Sequence, residues 1–388
     1  MYKIVDGGVM VCDNFDRQTD RQTDRQTDRQ TDRQSNFEFF RIVLMVLIVA
    51  HHYVVHGGFA YTSEFTFNKF FLQIFGAGGK LAVNAFVLMS GYFLIREKFR
   101  LSKLCKLILQ IWFYSLLILL FAWYMDLKTV NTMNVIKSLI PFGLVNWFAY
   151  TYLGLYVFFP FINKMLLSLD RVNYLMMLIL GFVVLFLLPT ITTLNVISSN
   201  MMLFLYLYAL GAYVRTYSEY IFVTDVKKKL FYIVVVLLCL FVAIDVIGIY
   251  FKHFIKKLHY FSCFGYGIFP LIIAVLMFLW VKTMNVSFNK WINTIAMTTF
   301  GVYLIHDNGL IRRYIWHNLF HNSAYYTSEL LLLHGFLSVF MIFVCCSAID
   351  YLRVILIEQP IFSKYGRIID TWGVNMEVKI NEWICNEK

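Results

Sequence analysis

Ten blocks of predominantly apolar residues divide the chain, and each is long enough, as an α-helix, to match the hydrocarbon core of a bilayer. Lipid offers the backbone no hydrogen-bond partner, so a spanning segment of this kind has to be helical. The chain is 60% hydrophobic and 15% charged, whereas a soluble domain is roughly half apolar and a quarter charged. We therefore predict an all-α, polytopic membrane helical bundle with about ten transmembrane helices. The blocks lie near residues 37–56, 71–95, 104–124, 142–163, 172–189, 201–220, 230–250, 266–283, 294–313 and 328–352.

The loops between the blocks carry most of the positive charge, and its distribution predicts the orientation. Cytoplasmic loops of membrane proteins carry an excess of Lys and Arg. If the N-terminus is inside, eighteen basic residues fall on the inner side and nine on the outer side. Both termini are therefore predicted to be cytoplasmic. The net charge of +11 is therefore explained by basic loops that orient the chain in the membrane and lie next to its lipids. We expect no nucleic-acid partner.

A four-residue repeat precedes the first block: residues 16–34 read DRQTDRQTDRQTDRQTDRQ. The repeat has no apolar face under any period, so burial cannot offset the entropy lost on ordering it. We predict that residues 1–35 form a disordered tail. Residues 36–362 are then the ten-span membrane domain, and residues 363–388 are a cytoplasmic C-terminal tail.

The repeat also suggests how the gene is controlled. The codons GAC-AGA-CAG-ACA encode Asp-Arg-Gln-Thr and are also three copies of the tetranucleotide GACA. Such a tract gains or loses units by polymerase slippage, and each slip shifts the reading frame. We hypothesise an on/off contingency tract in a bacterial gene, a device suited to surface structures that a host detects. Sequencing the DNA tests this, because mixed synonymous codons across the tract would contradict it.

The first apolar block contains ionisable residues, which are costly inside a bilayer and usually face a cavity or a partner. Arg41 and His52 are eleven residues apart, which is close to three helical turns and about 16 Å along the axis. They share one face of the helix, His56 lies near that face, and His51 is expected to point elsewhere. Simpler interpretations exist: Arg41 as a snorkelling anchor, and His52 as a neutral histidine bonded to a neighbouring helix. Their shared face favours a functional role.

Several stretches, in order and at plausible spacing, resemble the acyltransferase-3 family of integral membrane O-acyltransferases. The pair Arg41 and His52 resembles that family's Arg-x10-His signature, and His306 lies in what looks like its late histidine motif. The resemblance covers roughly residues 36–362. The matching stretches are FFRIVLMVLIVAHHY (39–53), VNAFVLMSGYFLI (83–95), WFAYTYLGLYVFFPFINKM (147–165), TTFGVYLIHDN (298–308) and IEQP (357–360).

The resemblance implies ten core spans and the transfer of an acyl group, most often acetyl, to a sugar hydroxyl. The implied donor is cytoplasmic acetyl-CoA, and the implied acceptor is a cell-surface glycan or its lipid-linked precursor. We accordingly expect a multi-pass protein of the bacterial cytoplasmic (inner) membrane. No cofactor is expected to be permanently bound, and since no His/Cys metal-ligand spacing is present, no metal is expected either.

The expected catalytic residues are His52, His306 and Asp307. O-acetylation needs a base that takes a proton from a sugar hydroxyl, or a nucleophile that carries the acetyl group, and neutral imidazole can do either. His306 is predicted to lie at the same depth as His52 and to line the same cavity. One histidine would activate the acceptor while the other polarises the thioester or relays the proton, and Asp307 would orient an imidazole. The alternative for His306 is a structural core histidine.

Arg41 is predicted to bind CoA phosphate by paired hydrogen bonds, and Lys227 and Lys228 are further candidates for CoA or for anionic lipid. As a solvated inner loop, the lysine run has a simpler interpretation. The predicted substrate-binding residues are Asn84, Ser90, Trp147 and His56. Ser90, next to a glycine, could instead mark close helix packing, and Trp147 could be an interface anchor.

Three other functions fit a polytopic chain. A lipid-linked sugar flippase or transporter would use many spans and a buried arginine, but we see no repeat symmetry and no helices broken at matching positions. A glycan polymerase would be expected to have large outer loops, and these loops are short. Nothing argues positively for a non-catalytic assembly partner. The repeat favours lipopolysaccharide as the acceptor, with capsule, teichoic acid and exopolysaccharide left open.

Overall fold

The computed structural model of the chain describes residues 35–61, 66–140, 146–189, 199–218, 227–250 and 267–386. These residues form helices and no strand, as the apolar blocks predict. The α-helices are α1 (Ser35–Val55), α2 (Phe67–Gly76), α3 (Gly78–Leu94), α4 (Leu101–Tyr124), α5 (Thr132–Leu139), α6 (Trp147–Ser168), α7 (Arg171–Phe182), α8 (Asn200–Thr216), α9 (Lys227–Tyr250), α10 (Ile268–Thr283), α11 (Lys290–Met297), α12 (Thr299–His306), α13 (Leu331–Arg353) and α14 (Gln359–Asn386).

Four helical runs of the described chain are long and apolar enough to cross a membrane: Ser35–Val55, Phe67–Leu94, Leu101–Tyr124 and Leu331–Met376. Shorter apolar helices include Arg171–Leu187, Leu230–Leu240 and Ile268–Thr283. Large apolar side chains point outward from these helices, as they do where the surrounding solvent is lipid. The chain is a helical membrane protein. The count of ten spans and the cytoplasmic position of both termini stay predictions.

The ninth predicted block, residues 294–313, is not one continuous helix. It is divided between α11 and α12, with Thr298 between them, and α12 ends at His306. The backbone turns there because the Asn308 side chain accepts a hydrogen bond from the Leu310 N–H at 2.9 Å. An Asn side chain that binds the backbone two residues on favours a turn over a continuing helix.

Glycines let two helices touch at the centre of the bundle. A Cβ atom at Gly91 of α3 would lie 2.0 Å from the Tyr208 carbonyl oxygen of α8, and one at Gly211 of α8 would lie 2.0 Å from the Leu88 carbonyl oxygen. Neither position has room for a side chain, so the backbones of α3 and α8 are in direct contact. The interpretation of Gly91 as a close-packing residue is therefore confirmed.

Both ends of the predicted membrane domain differ in detail from the sequence prediction. Helix α1 begins at Ser35, and the repeat of residues 16–34 lies outside the described residues. The segment after residue 362 is helical and belongs to α14. This helix is attached to the start of α4, because Asp370 accepts hydrogen bonds from the Ser102 N–H and hydroxyl, both at 2.8 Å.

Candidate active site

A cavity of about 940 Å³ runs along one face of α1. Arg41, Met45, Ile48, His52 and His56 line it. Steps of three and four residues keep side chains on one helical face, so the expected alignment of Arg41 with His52 follows from the helix itself. The Arg41 side chain is 46% exposed and lies 3.4 Å from Glu38, whereas the His52 side chain is 12% exposed.

His52 is hydrogen-bonded to His306, and the hydrogen bonds assign the tautomer of both rings. His306 Nδ1 lies 2.6 Å from the Val302 carbonyl oxygen; since a carbonyl only accepts, Nδ1 carries the proton. The neutral His306 ring then presents a lone pair at Nε2, which lies 2.9 Å from His52 Nδ1. His52 Nδ1 therefore donates, and its Nε2 carries the lone pair. Among the described residues this Nε2 has no hydrogen-bond partner.

The Asp307 carboxylate lies beside the two histidines of α1. Its Oδ1 is 3.7 Å from His52 Nδ1, 3.6 Å from His56 Nε2 and 3.2 Å from Arg312 Nη1. Asp307 is 4% exposed and lines the cavity. A buried carboxylate between two imidazoles can orient them and stabilise positive charge that develops on either ring. The adjacent turn also places Arg312 against the same carboxylate.

The structure corrects the expected position of His306. Its side chain is completely buried and does not line the cavity. Depth along the helix axis was predicted from residue counts, but rotation about the axis was not, and His306 faces His52 rather than the cavity. Direct contact of His306 with a thioester or an acceptor is therefore wrong. Its position suits a residue that orients His52.

His51 also differs from expectation, because it lines the cavity. Its Nδ1 donates to the Gly76 carbonyl oxygen at 2.6 Å, at the end of α2. A Cβ atom at Gly79 would lie 2.3 Å from the His51 ring. The ring therefore occupies the break between α2 and α3, which needs a residue without a side chain at that point. This explains the glycine at residue 79.

The predicted substrate-binding residues divide into two groups. Ser90, Trp147 and His56 line the cavity, and Lys80 Nζ lies 5.1 Å from the centre of the Trp147 ring. Asn84 does not line it: the side chain is completely buried, and neither amide atom has a hydrogen-bond partner among the described residues. Placing Asn84 at the substrate is therefore wrong, since it lies on another face of α3.

Of the lysine run at the start of α9, the structure describes the side chain of Lys228. Lys228 is exposed and does not line the cavity, so a contact of Lys228 with CoA or anionic lipid stays a prediction and would lie outside this cavity. The side chain of Lys227 lies outside the described residues. The sequence could suggest a CoA contact here because charge runs attract anions wherever they are, but it could not show where the run lies in space.

Sequence reasoning missed several polar residues of the cavity wall. Lys69, Gln73, Lys80 and Arg312 all line it. Two of them carried a signal: Lys80 stands inside an apolar block, and Arg312 closely follows the late histidine motif. Ionisable residues in such positions usually face a cavity or a partner. Assigning them to one cavity required the tertiary structure.

One group of side chains has the spacing of metal ligands. The ligand atoms of His52, His56 and Asp307 lie within 4.8 Å of one another. Two features fit a metal poorly: Arg312 contacts the same Asp307 oxygen, and His52 Nδ1 carries the proton that binds His306. A metal ligand nitrogen has to be unprotonated. The arrangement is better suited to moving a proton than to holding a cation.

Comparison with known proteins identifies the domain to which these residues belong. A family model described as an acyltransferase domain, of the acyltransferase-3 type, matches residues 34–351. The match includes every residue of the cavity wall named above. No curated protein and no solved structure matches the chain.

Proposed function

Because this chain belongs to the acyltransferase-3 family, we propose that it moves an acetyl group from cytoplasmic acetyl-CoA to a sugar hydroxyl of a bacterial surface glycan. The family and the helical structure make it a membrane acyltransferase. The acetyl donor, the glycan acceptor and the inner membrane as location are parts of the proposal. The observation that carries it is the free Nε2 lone pair of His52 in a cavity shared with Arg41.

His52 supplies the base. Its Nδ1 is turned toward His306, so the opposite edge of the ring, with the Nε2 lone pair, is the one available to the cavity. A neutral imidazole in hydrogen-bond reach of a hydroxyl can accept its proton in the transition state, which contributes typically 10²–10⁴-fold to the rate. His306 holds the ring in this tautomer.

The transfer then balances without any further reactant. As His52 Nε2 takes the hydroxyl proton, the sugar oxygen bonds to the carbonyl carbon of the thioester. The carbon–sulfur bond breaks, and the imidazolium returns the proton to the departing thiolate. The products are a sugar ester and the free thiol of CoA. Asp307, 3.7 Å from His52 Nδ1, stabilises the positive charge that the ring carries in between.

Arg41 fits the donor. Its Cα lies about 16 Å from that of His52 along the axis of α1, and its side chain lines the same cavity and is partly exposed. A planar guanidinium can bind phosphate through two hydrogen bonds. CoA would thus place its phosphate groups at Arg41 and its thioester near His52.

The acceptor is proposed from the repeat of residues 16–34. A gene that switches on and off by slippage suits a modification of a surface structure, and lipopolysaccharide fits this best. The phase-variable acetylation proposed here predicts that a change in tract length removes acetate from the glycan while the rest of the glycan is unchanged.

Membranes that contain the full chain test the activity. They are supplied with acetyl-CoA, and ester acetate on the glycolipid and polysaccharide is followed by mass. We expect His52→Ala to lower the rate by at least about 10²-fold with the protein level unchanged. His321→Asn is the matched control, because His321 is exposed and has the left-handed backbone that Asn tolerates.

Full activity of His52→Ala would remove the base assignment. If wild-type membranes form no ester acetate but move lipid-linked sugar across the bilayer, the flippase function replaces the acyltransferase function.

A further inference from the structure

Helix α2 has polar residues on its buried face and apolar residues on its exposed face. Lys69 and Gln73 are on its buried face, at 9% and 6% exposure. Phe67 and Ile74 point outward and are 66% and 42% exposed. In a membrane protein the outward apolar side chains face lipid, and inward polar side chains face a partner or a water-filled cavity. Lys69 and Gln73 do line the cavity.

These two residues lie beyond His52 on the side opposite Arg41. Helix α2 ends at Gly76, whose carbonyl contacts His51, and Gln73 and Lys69 are one and two turns before that end. The start of α2 is tied to the segment before α13, because Asn68 Nδ2 donates to the Tyr326 and Ser328 carbonyl oxygens at 2.8 and 2.9 Å. Arg41 is near the other end of α1. The cavity therefore has two ends, with His52 between them.

The described residues of the cavity wall have an excess of positive charge. Of the described residues that line the whole cavity, four are Lys or Arg and only Asp307 is a carboxylate. Three of the four cations are remote from the cavity end that contains Arg41. Lys69, Lys80 and Arg312 lie at the level of His52 or nearer the end formed by α2. An anion is the ligand that such a wall attracts.

Gln73 gives an independent indication of a ligand. Its Oε1 atom is buried and has no hydrogen-bond partner among the described residues, although the side chain lines the cavity. A buried amide oxygen without a partner costs free energy, and a hydroxyl group in the cavity would satisfy it. Phe59 and Tyr61 line the same end and supply flat apolar surface of the kind that suits a sugar ring.

The donor cannot use these cations while its thioester is at His52. With CoA phosphate at Arg41, all the charge of the donor lies on one side of the thioester, and Lys69 lies on the other side. The positive end must therefore serve the second substrate.

We propose that the cavity end lined by Lys69, Gln73 and Tyr61 is the acceptor subsite, and that the acceptor is an anionic glycan with a phosphate or carboxylate group close to the sugar that is acetylated. This inference rests on the proposed function, because a ligand bound at this end is an acceptor only if the protein is an acyltransferase. Lys69 binds the anionic group, Gln73 accepts a hydrogen bond from a sugar hydroxyl, and the attacking hydroxyl reaches His52.

The first experiment measures binding without chemistry. Glucose 1-phosphate, glucuronate and glucose are compared as labelled probes by equilibrium dialysis against the purified full chain. We expect one of the two anionic sugars to bind at least tenfold more tightly than glucose, and the preferred anion shows whether the group is phosphate or carboxylate. Lys69→Gln should lose this preference, and Lys69→Arg should keep it. Equal binding of all three probes to the wild type would overturn the subsite.

The second experiment measures kinetics in membranes that contain the glycan. Lys69→Gln should raise the KM for the glycan at least tenfold and leave the KM for acetyl-CoA unchanged. Lys137→Gln, at an exposed lysine of α5, is the matched control and should change neither constant. A rise in the acetyl-CoA KM instead would assign the cations to the donor and overturn the proposal. If the wild type forms no ester acetate while the dialysis result holds, the proposed function fails and the anionic-sugar site does not.

Discussion

Two clusters of polar residues in this membrane domain, each with buried members and a partly exposed cation, have similar compositions and different geometries. The His52 cluster comprises His52, His56, His306, Asp307 and Arg312. The Arg353 cluster comprises Lys106, Tyr114, Asp350, Arg353 and Glu358. Each combines at least one carboxylate with basic groups among the helices. The difference between them separates a site that can react from one that holds the fold together.

The Arg353 cluster has short bonds. Arg353 Nε lies 2.7 Å from Asp350 and its Nη1 lies 2.6 Å from Glu358. Tyr114 donates to the same Asp350 oxygen at 2.7 Å, and Lys106 pairs with Glu358. Two cations match two carboxylates, and no member lines the 940 Å³ cavity. Charge-assisted bonds of this length fix their groups.

The His52 cluster has longer contacts and an open edge. The partners of Asp307 lie at 3.2–3.7 Å, and His52, His56, Asp307 and Arg312 all line the cavity. The Nε2 lone pair of His52 is free, and the cavity beside it has room for a substrate. Contacts of this kind contribute less to stability, and they leave a proton able to move.

The two clusters meet at α12. A Cβ atom at Gly301 would lie 2.1 Å from the Asp350 carboxyl carbon, so Asp350 packs directly against the helix that carries His306 at its end. The Arg353 cluster thereby fixes α12, and α12 fixes His306 against His52. The structural cluster supports the reactive one through a single helix.

The largest expected difference between the clusters is a loss of stability when the Arg353 cluster is disrupted. Arg353→Met leaves two buried carboxylates with Lys106 as the remaining cation, and removing one partner of a buried pair costs about 3–5 kcal/mol. We expect a lower unfolding midpoint and a lower folded yield in detergent. Arg367→Met, at an exposed arginine of α14, is the control. An unchanged midpoint in Arg353→Met would show that the cluster is not structural.

The next effect is on rate. His306→Leu removes the acceptor for His52 Nδ1–H. This hydrogen bond strengthens as the His52 ring takes the proton and becomes positive, so losing about 1–3 kcal/mol there lowers kcat by roughly 5- to 150-fold. The KM values should change little, because His306 does not line the cavity. His306→Gln retains an acceptor oxygen and should recover part of the rate. Equal losses in both variants, accompanied by lost stability, would make His306 a core residue only.

The sequence predicts the part of this site that one helix determines. Arg41, His52 and His56 lie on one stripe because the 3.6-residue period fixes their directions, and the structure places all three in one cavity wall. The helical class of the fold follows from block length for the same reason. Both depend only on local geometry.

The sequence does not predict what depends on how helices rotate and break. His306 lies within the predicted block 294–313, but the break at Thr298 and the packing of Asp350 on Gly301 set its rotation. Asn84 and Ser90 stand on one helix, yet only Ser90 reaches the cavity. Lys69, Lys80 and Arg312 come from distant segments, so their meeting is a property of the tertiary structure.

The smallest expected effect concerns Arg41, whose side chain is 46% exposed where Arg353 is 4% exposed. An exposed charge contributes about 1 kcal/mol or less, so Arg41→Gln should raise the KM for acetyl-CoA up to about fivefold and leave kcat and the unfolding midpoint unchanged. Ionic strength gives a second test, because salt screens interactions between exposed charges and screens those between buried charges much less. Raising the ionic strength should move the wild-type KM toward the variant's value and should leave the loss of stability in Arg353→Met unchanged. If the acetyl-CoA dependence of Arg41→Gln equals that of the wild type at low salt, Arg41 does not hold the donor phosphates.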